Sequence, residues 1–195
     1  MSERAVADAL AYIKDYKNRC KAVVEAIPDA GVAELITLLR NAREAGRNIF
    51  LCGNGGSAAT ASHFSTDLGK GASLGRDRRF KVISLAENLP WITATANDSD
   101  YSQIFVEQLR NFAEPGDLLI AFSGSGNSPN VIAAIDWGNH NGLVTAGVTG
   151  RPGGKLGQIA QHPVFAESTH MAFIEDAHFV VQHILSYYFM EADGA

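Results

Sequence analysis

The chain has 195 residues, of which 46% are apolar and 19% charged, a composition typical of one soluble globular domain. Its formal net charge of -5 provides no general basic field for nucleic acid, and no apolar run reaches the length of a membrane span. The N-terminus lacks a signal-peptide pattern, and Cys20 and Cys52 each lie in an apolar run, so we expect free thiols and a cytoplasmic protein.

The first part of the chain predicts two helices. Apolar residues recur in steps of three and four along residues 3–27, which is an amphipathic pattern with a period of 3.5 residues. Pro28 ends this helix, and a second amphipathic helix follows to about Ala45. The apolar seam of the first helix must be buried on its own domain or on a second subunit. We favour the second subunit and assign residues 1–46 as a helical oligomerisation segment.

From residue 47 onward, short apolar runs alternate with helical patterns. The predicted strands are 48–52, 81–86, 118–122, 143–148 and 163–166. The predicted helices are 57–69, 101–112, 128–141 and 172–191. Most strands are apolar through their middles, as in a parallel sheet buried on both faces. We therefore predict an α/β fold with one domain over 1–195. Its core, 47–195, is a three-layer αβα sandwich with a five-stranded parallel sheet of flavodoxin-like order 2-1-3-4-5.

Two glycine-rich loops follow the first and third predicted strands. The first has the sequence GNGGS over residues 53–57, and the second has the sequence SGSGNS over residues 123–128. In open α/β sheets, ligands bind at the carboxyl ends of the strands, where the strand order reverses. The order 2-1-3-4-5 would bring both loops to one crevice.

The second loop has the composition of a phosphate cradle. Its glycines allow backbone N–H groups to approach an anion, and Ser123, Ser125 and Ser128 add hydroxyl donors. The helix that starts there presents its positive end to the same place. The alternative is a flexible turn in which Ser128 only caps the helix, and one serine can satisfy both interpretations.

The first loop also fits a weaker alternative. Gly53, Gly55 and Ala58 satisfy the spacing of a dinucleotide fingerprint, with Glu87 as the acid that would bind a ribose. Glu87 lies further on than the roughly 20 residues that this fingerprint expects. The fingerprint also leaves the second loop unexplained, so we disfavour it.

Four titratable residues are candidates for chemistry. His63 and Asp67 are four residues apart on one predicted helix, and Glu175 and His183 are eight apart on another. Two histidines and two carboxylates suit a divalent metal such as zinc. They equally suit the acid and base of a proton transfer next to a carbonyl. The remaining alternative is ordinary polar residues in a core or on a surface.

These features together resemble a known family. The matching segments are CGNGGS at 52–57, HF at 63–64, ND at 97–98, GDLL at 116–119, SGNS at 125–128 and HIL at 183–185. They resemble the SIS (sugar isomerase) domain proteins, most closely the phosphoheptose isomerase branch, over about residues 5–190. The resemblance implies a homotetramer with active sites at subunit interfaces. It also implies conversion of sedoheptulose 7-phosphate to D-glycero-D-manno-heptose 7-phosphate by enediol proton transfer.

The resemblance also implies roles for individual residues. Asp67 and His183 would be catalytic. The substrate-binding set would be Asn54, Gly55, Ser57, Asp98, Ser123, Gly124, Ser125, Ser128 and Glu175. The metal ligands, for zinc, would be His63, Asp67, Glu175 and His183.

Four positions depart from the family pattern. Asp67 stands where the family has glutamate, Glu175 where it has glutamine, Gly124 where it has threonine, and Ala172 where it has an acidic residue. The extra carboxylate should strengthen a site for a divalent metal. The four changes together leave the identity of the sugar substrate open. The alternative function is a non-catalytic SIS module that acts as a phosphosugar sensor or as an adaptor for a protein partner of the replication-initiator type. The retained acid and base candidates favour an enzyme.

Overall fold

The fold is organised around one parallel sheet. The computed structural model describes residues 3–193, so residues 1–2 and 194–195 of the predicted domain lie outside the described residues. The strands are β1 (Asn48–Cys52), β2 (Lys81–Ser84), β3 (Leu118–Ser123), β4 (Val144–Gly150) and β5 (His162–Ala166). All neighbouring strands are parallel and their order is β2-β1-β3-β4-β5, as predicted.

Helices cover both faces of this sheet. They are α1 (Glu3–Glu25), α2 (Asp29–Glu44), α3 (Gly56–Thr66), α4 (Leu89–Asp98), α5 (Val106–Phe112), α6 (Pro129–His140), α7 (Leu156–Ile159) and α8 (Met171–Tyr187). Apolar residues of α2, α3 and α8 form one core cluster with the sheet, and those of α5, α6 and α7 form the other. The result is the predicted three-layer sandwich. Among residues 3–193, no helix combines the length and apolarity needed to cross a membrane.

The central strands are buried on both faces because successive side chains enter opposite cores. In β1, Ile49 and Leu51 belong to one cluster, while Phe50 and Cys52 belong to the other. Every residue of β3 is buried. Burying each large apolar side chain contributes about 1.5–3 kcal/mol, so the continuous apolar runs explain why these segments became central strands.

Several boundaries differ from the sequence-based prediction. The helix expected over 57–69 ends at Thr66 and continues as a π-helical turn, Asp67–Gly71. The helix expected over 172–191 likewise ends in a π-helical turn, Tyr188–Ala192. A 3₁₀ turn at Tyr101–Gln103 precedes α5, because the Asp100 carboxylate accepts a hydrogen bond from the Ser102 N–H at 2.7 Å. The four-residue α7 was not predicted.

The apolar seam of α1 lies mostly on the surface of the single chain. Val6 is 40% exposed and Ile13 is 45% exposed, and Leu10 beside them is 62% exposed. The later part of the helix packs on α8, where the Tyr16 hydroxyl donates a hydrogen bond to Asp176. The seam is therefore only partly covered by its own domain.

Candidate active site

A pocket lies between the two glycine-rich loops at the carboxyl edge of the sheet. Its volume is about 140 Å³. It is lined by Asn54, Ser57, Phe122, Ser123, Gly124, Ser125, Ser128, Met171 and Glu175. We call it the loop pocket. All of these except Phe122 and Met171 belong to the predicted substrate-binding set.

The serine loop connects β3 to α6 and presents hydroxyl groups to the loop pocket. Ser128 occupies the N-cap position of α6 but its side chain makes no capping hydrogen bond. Its hydroxyl instead lies 3.4 Å from the Ser123 hydroxyl. Capping therefore does not account for Ser128, and the Val131 N–H in the first turn of α6 donates instead to Oδ1 of Asn130 at 3.0 Å.

The serine loop is held in place by close packing against the loop after β4. Gly126 has a φ of +66°, and a Cβ atom there would lie 2.0 Å from the carbonyl oxygen of Gly153. The N–H of Leu156 donates to the Gly126 carbonyl at 2.8 Å. Glycine is required at Gly126, and these contacts fix the conformation of the serine loop.

The first loop is fixed by an amide pair. The Asn54 and Asn130 side chains each donate a hydrogen bond to the other at 2.8 Å, and the Tyr101 hydroxyl donates to Asn54 at 3.2 Å. Gly55, with a φ of +55°, precedes the first residue of α3 and does not line the loop pocket. Glu87, the acid of the dinucleotide alternative, is exposed and also lies outside the lining.

Glu175 brings a carboxylate to the beginning of α3. A Cβ atom on Gly56 would lie 2.8 Å from Oε1 of Glu175, so a side chain at this position would displace the carboxylate. A carboxylate is stabilised at the positive end of a helix. Among the residues that line the loop pocket, none is lysine or arginine.

A second group of polar side chains joins the far end of α3 to α8. The Nε2 atom of His63 lies 3.2 Å from Oδ2 of Asp67 and 3.3 Å from Nε2 of His183. The distance from His183 Nε2 to the same Asp67 oxygen is 3.9 Å. The Phe179 ring packs beside both imidazoles. We call these three residues the His–Asp–His group.

The spacing of the His–Asp–His group fits a metal ion. Bonds of about 2.0–2.2 Å to zinc place the ligand atoms of a tetrahedron about 3.3–3.5 Å apart. The three separations bracket that range, and the three ligand atoms lie within 4.8 Å of one another. The group therefore has the geometry and the donor chemistry of three ligands to a divalent cation.

The structure separates two predicted residues from their expected companions. Glu175 does not join the His–Asp–His group within one chain, because eight helical residues separate it from His183 by about 12 Å along α8. Asp98 lies at the exposed end of α4, where it accepts a hydrogen bond from the Asn97 side chain at 2.7 Å, and does not line the loop pocket.

Three residues near these sites were missed from the sequence. Met171 lines the loop pocket, and its sulfur occupies the space that a side chain at Gly124 would need. Asn130 orients Asn54, as described above. Ser186 is fully buried, and its hydroxyl lies 3.4 Å from Oδ2 of Asp67. The Ser186 contact joins residues 119 positions apart, so no local sequence pattern signals it.

The fold and its paired loops define an SIS-domain protein, and a family model described as SIS domain matches residues 11–150. The phosphoheptose isomerase of Crocosphaera subtropica is 36% identical over 140 residues, which are 72% of this chain and 71% of that protein. The corresponding protein of Aliarcobacter butzleri is 39% identical over 140 residues, covering 72% and 74%. The structure of phosphoheptose isomerase from Neisseria gonorrhoeae superposes with a TM-score of 0.84 at 26% identity, covering 94% of this chain and 98% of that one. The chain belongs to the phosphoheptose isomerase family of SIS-domain proteins and is a sugar-phosphate isomerase.

Proposed function

We propose that this enzyme converts sedoheptulose 7-phosphate to D-glycero-D-manno-heptose 7-phosphate. The observation that carries the proposal is the loop pocket, where Ser123, Ser125 and Ser128 meet the N-terminus of α6. Hydroxyl and backbone N–H donors at a helix N-terminus suit a phosphate monoester. Membership in the phosphoheptose isomerase family supports a seven-carbon ketose as the sugar that carries this phosphate.

The reaction requires a base at carbon and an acid/base at oxygen. In this proposal, Asp67 removes a proton from C1 of the ketose to give an enediol and returns it to C2. His183 supplies a proton to the C2 oxygen and accepts the proton of the C1 hydroxyl. The short distances within the His–Asp–His group support this pairing, because both side chains then reach neighbouring atoms of one substrate.

The two halves of the site are too far apart to act within one chain. Ser57 and Asp67 are ten residues apart on continuous helical backbone, a separation of about 15 Å along the axis. An extended heptulose phosphate reaches only about 9 Å from phosphorus to C2 at ordinary bond lengths. We therefore infer that the loop pocket of one subunit works with the His–Asp–His group of another. A homotetramer with interface active sites satisfies this requirement.

The same arrangement supports a metal site. Glu175 from a second copy of the chain would supply a fourth ligand to His63, Asp67 and His183. Imidazole and carboxylate donors suit zinc, which when bound would polarise the sugar carbonyl. Elemental analysis of protein purified without chelators should find zinc close to one equivalent per chain. Less than a tenth of an equivalent, with no gain of activity on adding zinc, would contradict this part of the proposal.

The cysteines support a cytoplasmic location for the enzyme. Cys20 and Cys52 are both free thiols. Burial raises the pKa of the Cys52 thiol to about 12, which suppresses its reactive thiolate form. Reduced cysteines are typical of a reducing compartment.

The decisive experiment is turnover of sedoheptulose 7-phosphate followed by NMR. The parent should form the heptose phosphate and incorporate solvent deuterium at C1 or C2. Asp67→Asn should lower kcat by roughly 10²-fold or more, the usual size of a general-base contribution. Asp77→Asn, at an exposed aspartate away from both groups, is the matched control and should retain parental activity. Tight binding of the ketose phosphate without turnover by the parent would instead favour a sensor or adaptor.

A further inference from the structure

The core-facing side of α8 carries a row of polar residues in an apolar environment. His178, Gln182 and Ser186 follow one another at intervals of four residues, so they lie on nearly the same face. His178 is 1% exposed and the other two are fully buried. Their neighbours on the helix, including Val181 and Leu185, belong to the apolar core cluster.

The two ends of this row lie at the two halves of the proposed site. The His178 ring packs 6.0 Å from the ring of Phe122, which lines the loop pocket. The backbone of Thr149, at the carboxyl end of β4, faces the same imidazole. At the other end, the Ser186 hydroxyl donates to the Gln182 carbonyl at 2.9 Å and lies 3.4 Å from Oδ2 of Asp67. The row spans about 12 Å along the helix axis.

Several buried polar atoms along the row lack a hydrogen bond of normal geometry to another described residue. They are Nδ1 and Nε2 of His178, and Oε1 and Nε2 of Gln182. Leaving such an atom unpaired costs about 1–3 kcal/mol, so buried polar groups in native proteins are paired with protein or with ordered water. Neighbouring donors and acceptors of this kind provide the several partners that one buried water molecule needs.

We propose that His178, Gln182 and Ser186 form a hydrated polar seam inside the core, and that this seam positions the Asp67 carboxylate. Ordered water links the His178 imidazole and the Gln182 amide, and Ser186 completes the row at Asp67. The inference rests on the proposed function only in giving Asp67 a role in turnover.

The positions of the water molecules are the first test. A high-resolution crystal structure of the full-length enzyme should show ordered water within hydrogen-bond distance of both the Gln182 amide and the His178 ring. A dry row, or direct pairing of these side chains with other protein groups, would overturn the hydrated seam.

The second test separates positioning from stability. Gln182→Met keeps the side-chain volume and removes the amide, so the unfolding temperature should stay the same or rise. The kcat should nevertheless fall roughly tenfold, because mutations of residues that support a site typically cost about 10- to 100-fold in activity. The KM should change by less than about twofold. Ser186→Ala should lower kcat to a similar extent. A purely structural row predicts the opposite for Gln182→Met: parental kcat in every folded variant.

Thr145→Ala is the matched control. It also removes a fully buried hydroxyl, which donates to Asn139 at 2.6 Å, but near the amino end of β4 and away from the seam. It should lower stability and leave kcat unchanged. If Asp67→Asn is inactive while Gln182→Met and Ser186→Ala keep the parental kcat, the positioning role of the seam is contradicted and the proposed mechanism is not. A fully active Asp67→Asn enzyme would contradict the proposed mechanism, and the water positions would still decide whether the seam is hydrated.

Discussion

At the scale of single residues, the loop pocket combines an anion cradle with a negative charge. Glu175 lines the pocket together with the three serines of the β3–α6 loop, and no lysine or arginine lines it to offset the carboxylate. The N-terminus of α3 stabilises this carboxylate in the absence of substrate. A bound phosphate would compete with it electrostatically, so the charge at Glu175 should lower phosphate affinity.

In chelator-treated, metal-free protein, Glu175→Gln should therefore bind sugar phosphates more tightly. Removing one negative charge several ångströms from the phosphate, at a dielectric between those of protein and water, is worth roughly 1 kcal/mol, or about fivefold in affinity. Calorimetric titration with a ketose phosphate measures the change, which should shrink at high ionic strength. Glu87→Gln, at an exposed glutamate outside the lining, is the control. Weaker binding by Glu175→Gln would mean that the carboxylate contacts the sugar favourably.

His178 should make the stability of the enzyme depend on pH. Burial lowers the pKa of His178 from 6.5 to about 4, although the backbone of Thr149 opposes part of this shift. Between these values the unfolded chain binds a proton that the folded chain does not. The free energy of unfolding therefore falls as the pH drops through this window, by about 3 kcal/mol in total.

Urea denaturation at pH 7 and at pH 4.5 measures this loss. His178→Leu should lose less stability between the two pH values than the parent does, because leucine binds no proton. His140→Leu, at an exposed histidine, should keep the parental pH dependence. Equal pH dependence in His178→Leu and the parent would show that His178 is not held neutral by the fold.

The sequence predicts those parts of the site whose residues are close together in the chain. Ser123, Ser125 and Ser128 follow one another in a single loop, so strand and helix patterns alone place them at the sheet edge. His63 and Asp67 share a helix face and are likewise local. The separation of Glu175 from His183 was not anticipated, because sharing a helix face does not bring residues together when 12 Å of helix rise lies between them.

At the scale of elements, continuous apolar runs predicted the strands of the sheet, whereas the order 2-1-3-4-5 comes from the common arrangement of doubly wound folds. The π-helical turns were not predictable in the same way, because Leu68 continues the apolar face of α3 four residues after Phe64 and so gives no sign of a change in helix type. Such turns widen a helix by one residue and are frequent at functional sites. Here the turn begins at Asp67, and Met190 of the second π-helical turn packs against Gly71.

The N-terminal half of α1 exposes apolar side chains, including Val6, Leu10 and Ile13. We predict that a second subunit covers them. Ile13→Glu should weaken the assembly, because a charge would be buried in an apolar interface. Light scattering should then report a smaller mass than for the parent.

Asn18→Glu is the matched control for this variant. It adds the same charge to an exposed position off the seam of α1 and should leave the mass unchanged. If Ile13→Glu at micromolar concentration has the same mass as the parent, the apolar seam of α1 is not part of an interface that the assembly requires.

At the scale of the whole molecule, the proposed site joins the loop pocket of one subunit to the His–Asp–His group of another, so we expect catalysis to depend on assembly. The loop pocket and the His–Asp–His group lie near opposite ends of α3, further apart than the proposed substrate extends. Subunit exchange can therefore test the proposed interface site without a structure of the assembly. The test uses two variants that are each inactive for a different reason.

Ser128→Asp should repel phosphate from the N-terminus of α6, and Asp67→Asn should remove the base, so each homotetramer should be inactive. In mixed tetramers, an intact loop pocket from an Asp67→Asn subunit can face an intact Asp67 from a Ser128→Asp subunit. Random mixing would pair the intact halves at roughly a quarter of the sites, so co-expressed, doubly tagged tetramers should regain about that share of parental kcat. If each active site were complete within one chain, every site in the mixture would carry one lesion and activity would stay at the background of the single variants. The recovered activity therefore distinguishes a site shared between subunits from one contained in a single subunit.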